Sequence, residues 1–215
     1  MDPFKEFGLR SGLGTTYDAN ANIFICLNYI AQAISTKKPI IFITSRYSLT
    51  TYRICCSKLI IRWDPSLVKF VELPELLKHS IEVDRDKIFC SIKELVASSN
   101  ASYVLFDDCS VFERLGIQSA ELFCSLLDLY NVLPEDGLLY TQFSINSRAF
   151  RLLENKAAFS LRFENISSGF GKDVTGKVTI VLNSNGLLMK EKELLYHTGD
   201  RGTKYFFPGN VPLQL

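Results

Sequence analysis

Ala101-Ser102-Tyr103-Val104-Leu105-Phe106-Asp107-Asp108 is an apolar run that stops at two acids. A strand that is apolar at nearly every position is covered on both faces, as strands inside a parallel sheet are. Helical patterns on either side supply the cover. Upstream, Asp86 to Ser98 turns Ile88, Ile92, Leu95 and Val96 inward, and downstream Gln118 to Tyr130 reads as another helix. The alternation extends toward the N-terminus. Ala19 to Thr36 is predicted helical, with Ile23, Leu27, Ile30, Ala31 and Ile34 on one face and Asp18 or Asn20 as cap. Pro39 then opens the strand Ile40-Ile41-Phe42-Ile43-Thr44. A helix through Leu49, Tyr52, Cys56, Leu59 and Ile60 follows, then a strand over 67–73.

Beyond the turn Pro134 to Gly137 and the strand Leu138 to Phe143, the pattern changes. Ala158 to Phe163, Lys177 to Leu182 and Glu193 to Tyr196 read as antiparallel strands, with Asn183-Ser184-Asn185-Gly186 as a turn. The expectation is a single α/β domain over residues 1–215, with a mostly parallel sheet and antiparallel C-terminal strands.

Composition narrows the function. The chain has 47% hydrophobic and 22% charged residues, a globular balance, and 215 residues suit one full core. Its 24 basic and 23 acidic residues leave a net charge of +1, so contact with nucleic acid needs a local patch. Six dispersed cysteines without a Cys-x-x-Cys pair, and two separated histidines (His79 and His197), exclude a zinc ribbon and a disulfide framework. Free thiols in a reducing compartment fit instead, with Cys55 and Cys56 as neighbours on a helix. The start Met1-Asp2-Pro3-Phe4-Lys5-Glu6 has no signal-peptide pattern, and no apolar run approaches a bilayer span. An intracellular protein without membrane contact is expected.

One segment carries a family resemblance. Ser168-Gly169-Phe170-Gly171-Lys172-Asp173-Val174-Thr175-Gly176 leads into the strand Lys177 to Leu182, with three glycines marking tight turns and Gly176 expected at positive φ. This loop, with Leu195-Tyr196 and Thr203-Lys204-Tyr205-Phe206 of the tail, resembles the small RecA-like accessory subunits of the Elongator complex, the sixth-subunit branch above all. The sharp similarity covers roughly the last quarter of the chain, in the segment Gly169, Phe170, Lys172, Asp173, Val174, Thr175 and Gly176.

The resemblance implies a RecA-like, P-loop ATPase-like domain in a heterohexameric ring with two copies each of subunits four, five and six. It also implies service to the remaining Elongator subunits in carboxymethyl-type modification of the tRNA wobble uridine. The compartment would be the cytoplasm, with the nucleus as a second site. The alternative with the same fold is a recombination accessory protein that lacks a phosphate loop and binds single-stranded DNA with a partner.

A RecA-like core that hydrolyses ATP needs Gly-x-x-x-x-Gly-Lys-Ser/Thr to cradle phosphate. The expected place reads Gly8-Leu9-Arg10-Ser11-Gly12-Leu13-Gly14-Thr15-Thr16, without lysine and with the wrong spacing. A non-functional phosphate loop follows, so no cofactor is bound by the chain alone and ATP is left only to ring interfaces. Asp107 ends an apolar strand where a magnesium-holding acid would stand, and reads as a degenerate remnant or a cap. No Gly-x-Ser-x-Gly elbow is present, no metal site is indicated, and no catalytic residue is assigned. For tRNA, Arg148, Arg151 and Lys156 follow the Leu138–Phe143 strand with Glu154 as the local acid. Lys172 is a further candidate.

Overall fold

Leu138 and Tyr140 face one side of their strand and Leu139 and Phe143 the other, and all four are fully buried. That two-sided burial sets the architecture of the computed structural model, which describes residues 7–18, 23–77, 84–166, 174–184, 187–199 and 202–208. In chain order the elements are β1 (Gly12–Asp18), α1 (Phe24–Thr36), β2 (Ile40–Thr44), α2 (Leu49–Lys58), β3 (Val68–Glu72) and α3 (Leu73–Leu77). They continue with α4 (Arg85–Ser99), β4 (Tyr103–Phe106), α5 (Ser110–Arg114), α6 (Ser119–Tyr130), β5 (Leu138–Phe143) and α7 (Arg148–Glu154). The last four are β6 (Phe159–Asn165), β7 (Gly176–Ser184), β8 (Leu187–Gly199) and β9 (Gly202–Phe206).

One sheet runs β3-β2-β4-β5-β1-β6-β7-β8-β9. It is parallel from β3 through β6 and antiparallel from β6 to β9. The α/β class, the mostly parallel sheet and the antiparallel C-terminal strands are as the sequence predicts. One core packs α1 and α2 on one face through Tyr29, Tyr52, Phe42, Tyr103 and Tyr140. The other packs α3 to α7 through Phe89, Phe106, Phe112, Phe143 and Phe150. Leu194, Tyr196 and Tyr205 of the antiparallel extension join this first core together with residues of α1 and α2. Among the described residues no helix is long and apolar enough to cross a membrane.

Three details correct the sequence reading. Gly12 to Thr16 is not a loop before a helix but most of the central strand, hydrogen-bonded to β5 on one side and β6 on the other. The 158–163 strand is antiparallel only to β7; its other neighbour, β1, is parallel. Gly176 does not adopt positive φ, since it lies in β7 opposite Asn165 and Tyr196.

Glycine is required at Gly176 by close approach instead. A Cβ there would fall 2.6 Å from the Tyr196 hydroxyl and 2.7 Å from its ring, and closer still to the Glu164 carbonyl. Gly176→Val is expected to cost about 2 kcal/mol through this overpacking, read as a lowered thermal midpoint. An unchanged midpoint would show that Tyr196 swings clear at no cost.

Candidate functional site

The C-terminal ends of parallel strands, where strand order reverses, are where α/β sheets bind ligands. Here β1 is separated from β2 by β4 and β5, and the ends of β2, β4 and β5 carry a polar cluster built on Asp107 and Asp108. Asp107 is 3% exposed. Its Oδ2 accepts from Thr44 and, at 2.8 Å, from the Tyr52 hydroxyl, while its Oδ1 accepts from the Ser45 N–H at 2.8 Å. Burial pushes the carboxyl above its usual range against the pull of these donors. Both oxygens are engaged inside the chain, so the side chain stitches β4 to β2 and α2.

Asp108 is the junction that single-strand reading passes over. Arg46 Nη2 donates to it at 3.1 Å and Arg114 Nη2 at 2.8 Å, and the Ser110 and Ser144 backbone N–H groups donate at 2.9 and 3.3 Å. Burial pushes this carboxyl up, but the Arg46 charge and the serine hydrogen bonds outweigh it and hold the group below the ordinary carboxylate range. The available signal is the Asp-Asp doublet itself.

A phosphate loop is a strand–loop–helix device. The stretch between β1 and α1, residues 19–23, reads Ala-Asn-Ala-Asn-Ile, with neither glycine nor lysine. This is the position that such a loop occupies, displaced from Gly8–Thr16 because those residues reach into the strand.

The basic segment falls on α7. Ser147 caps it by accepting from the Phe150 N–H at 3.2 Å, and Ala149, Phe150 and Leu153 bury one face. Arg148 and Arg151 stand on the exposed face one turn apart, and Lys156 is exposed just past the helix end. None of the three forms an ion pair among the described residues. Glu154, their one acidic neighbour in the segment, is taken by Arg162 of β6, whose Nε donates to it at 2.7 Å, and by Ser160. The local field is therefore more positive than the sequence suggests.

Of the signature segment, Val174, Thr175 and Gly176 are described. The Thr175 N–H donates to the Tyr196 carbonyl and its hydroxyl accepts from the Thr198 N–H, fastening the segment to β8. Gly169, Phe170, Lys172 and Asp173 lie outside the described residues, as does His79. Cys26, Cys56 and Cys109 are buried free thiols, Cys55 is half-buried, and Cys90 and Cys124 are exposed. No cluster of three or more metal-ligating side chains occurs among the described residues.

The order and direction of the strands define a class. The solved structure of a KaiC-like protein from the archaeon Pyrococcus horikoshii superposes with a TM-score of 0.63 at 17% identity, covering 91% of this chain and 89% of that one. The chain has the RecA fold. In sequence it is similar to Elongator complex protein 6 of Drosophila melanogaster, 29% identical over 140 residues, which span 60% of this chain. The match spans about half, 55%, of that relative's length. No protein-family profile matches the chain.

Proposed function

We propose that the chain is a non-catalytic subunit of the Elongator accessory ring. It would sit with two copies each of subunits four and five and serve the remaining Elongator subunits in carboxymethyl-type modification of the tRNA wobble uridine. The observation that carries this reading is the similarity to Elongator complex protein 6 on a RecA fold. The glycine- and lysine-free stretch between β1 and α1 and the closed Asp107 supply the reason for catalytic silence. Affinity capture of a tagged copy with mass spectrometry tests the reading. Elongator subunits in the eluate support it, whereas recombination factors in their place favour the single-stranded-DNA alternative.

The isolated chain is expected to give no binding heat when titrated with Mg-ATP. A micromolar dissociation constant, about 8 kcal/mol of binding, would overturn catalytic silence. In the assembled ring ATP would be left to sites between subunits.

The tRNA would be held by Arg148, Arg151 and Lys156, with Lys172 as a further cation. Arg148→Ala with Arg151→Ala should leave assembly intact, because both side chains stand clear of the buried face of α7. It should weaken tRNA binding by the ring and flatten its salt dependence by about one unit of slope for each phosphate no longer neutralised. A wild-type salt slope in an assembled double mutant would place the tRNA surface elsewhere.

A further inference from the structure

Between Asp18 and Asp64 the sequence contains no acid. Residues 19–63 hold six cations, which leaves 18 basic and 23 acidic residues to the rest, so this one stretch offsets an otherwise acidic molecule. Two of the six are answered from elsewhere, Lys38 by Asp136 and Arg46 by Asp108. Arg53, Lys58 and Arg62 are exposed and form no ion pair among the described residues. Arg53 and Lys58 stand on α2, and the Arg53 guanidinium lies 5.8 Å from the centre of the Trp63 ring, which brings Trp63 beside the helix. Asp64, the first acid beyond, accepts at Oδ1 from the Ser66 hydroxyl at 2.6 Å and the Ser66 N–H at 2.9 Å, and Arg62 acts on it more weakly.

The same stretch exposes apolar side chains. Five large ones are exposed among the described residues, and three of them, Tyr47, Ile54 and Ile60, lie on α2 or at its two ends. Tyr52 and Cys56 bury the inner face of α2, while Thr50, Arg53, Ile54, Ser57 and Lys58 make up the outer one. Ile54 thus stands next to Arg53 and one turn before Lys58. Ile60 follows at the C-terminal end, 94% exposed at φ 61°, a left-handed conformation that strains a β-branched residue.

We propose that the outer face of α2 docks an acidic segment of a partner protein. Ile54 and Ile60 take its leucine or phenylalanine side chains, and Arg53 and Lys58 take the carboxylates beside them. Charge complementarity selects an acidic partner over a basic one. The exposed isoleucines select protein over nucleic acid, since phosphate contacts would use the cations and leave the isoleucines in water. α2 and α7 belong to cores on opposite faces of the sheet, so this surface is separate from the basic face of α7.

The test selects random dodecapeptides by display on the intact chain. The winner and a random-sequence RNA oligonucleotide are then each measured by fluorescence anisotropy. The expected winners place glutamate or aspartate beside leucine, isoleucine or phenylalanine. Lys58→Glu, Ile54→Ala and Ile60→Asn should each weaken the winner by about tenfold or more. Ile54→Ala should leave the thermal midpoint at or above wild type, because alanine is the better helix former. Ile60→Asn should raise it by about 2–4 °C, because asparagine tolerates left-handed backbone. Lost binding with retained stability separates a docking role from a packing role. No enrichment, basic or uncharged winners, or undiminished binding by any of the three variants overturns the proposal. So does a lowered midpoint in either isoleucine variant, or RNA binding that Lys58→Glu weakens as much as it weakens the winner.

Discussion

Asp108→Ala is expected to lower the free energy of unfolding by about 3 kcal/mol, the scale for removing one partner of a buried ion pair. Arg114 contributes little of this, since its side chain is 53% exposed and finds water readily. Arg46 contributes most. It is 20% exposed, and its Nε has no partner among the described residues even in the native chain. Losing Asp108 also takes the acceptor from the Ser110 N–H, while the Ser144 N–H keeps the Ser110 hydroxyl at 3.0 Å.

The same carboxylate has a pH signature. Its folded pKa is depressed, so its stabilisation is fully present above the unfolded value of about 3.9 and is lost as pH falls through the folded value. Urea unfolding from pH 6 to pH 2 should therefore show a steeper loss for the native chain than for Asp108→Asn. Parallel curves would show that the charge does not contribute.

Gly14→Ala is expected to be as severe. A single methyl there would meet the Phe159 ring, 2.9 Å from Cε1 and nearer to Cζ and Cε2. Neither side can yield easily. Phe159 is 2% exposed, and β1 is held in register by β5 and β6. A cost of about 3 kcal/mol, the upper end for overpacking, corresponds to a fall of roughly 6–12 °C in the thermal midpoint. Adding Phe159→Leu should recover part of it, and the coupling in that double-mutant cycle is the decisive readout. Simple additivity would mean that the two residues do not collide.

These two sites mark the boundary of what the sequence discloses. Strands such as Ile40–Thr44 and Tyr103–Phe106 are legible because two-sided burial makes them almost continuously apolar. β1 is nearly as buried but reads Gly-Leu-Gly-Thr-Thr-Tyr-Asp. Its neighbours supply the bulk, so Gly14 admits Phe159, and Thr15 pairs with Thr141 at 3.0 Å instead of packing as a hydrophobe. Small and hydroxylic residues imposed by crowding look like a loop in one dimension.

The basic pair Arg148 and Arg151 is legible because helical spacing is local. Capture of Asp108 by Arg46 is not, since the two stand 62 residues apart, and the pairs Glu154–Arg162 and Asp108–Arg114, 8 and 6 residues apart, each cross from one element to the next and so escape helical spacing. Periodicity assigns Ile60 to the core face of its helix. It lies two residues past Lys58, the last of the helix, and there the periodicity no longer says which way a side chain turns.

The central position of β1 also sets a schedule for synthesis. Thr15 meets Thr141 across 126 residues of chain. At ribosomal speeds of about 5–20 residues per second, β1 waits roughly 6–25 s for its neighbour. During that interval it hangs unpaired, where a run of valines and isoleucines would recruit other nascent chains. Glycines and threonines let it wait in water. The composition that hides this strand from inspection also keeps it out of aggregates until β5 and β6 arrive.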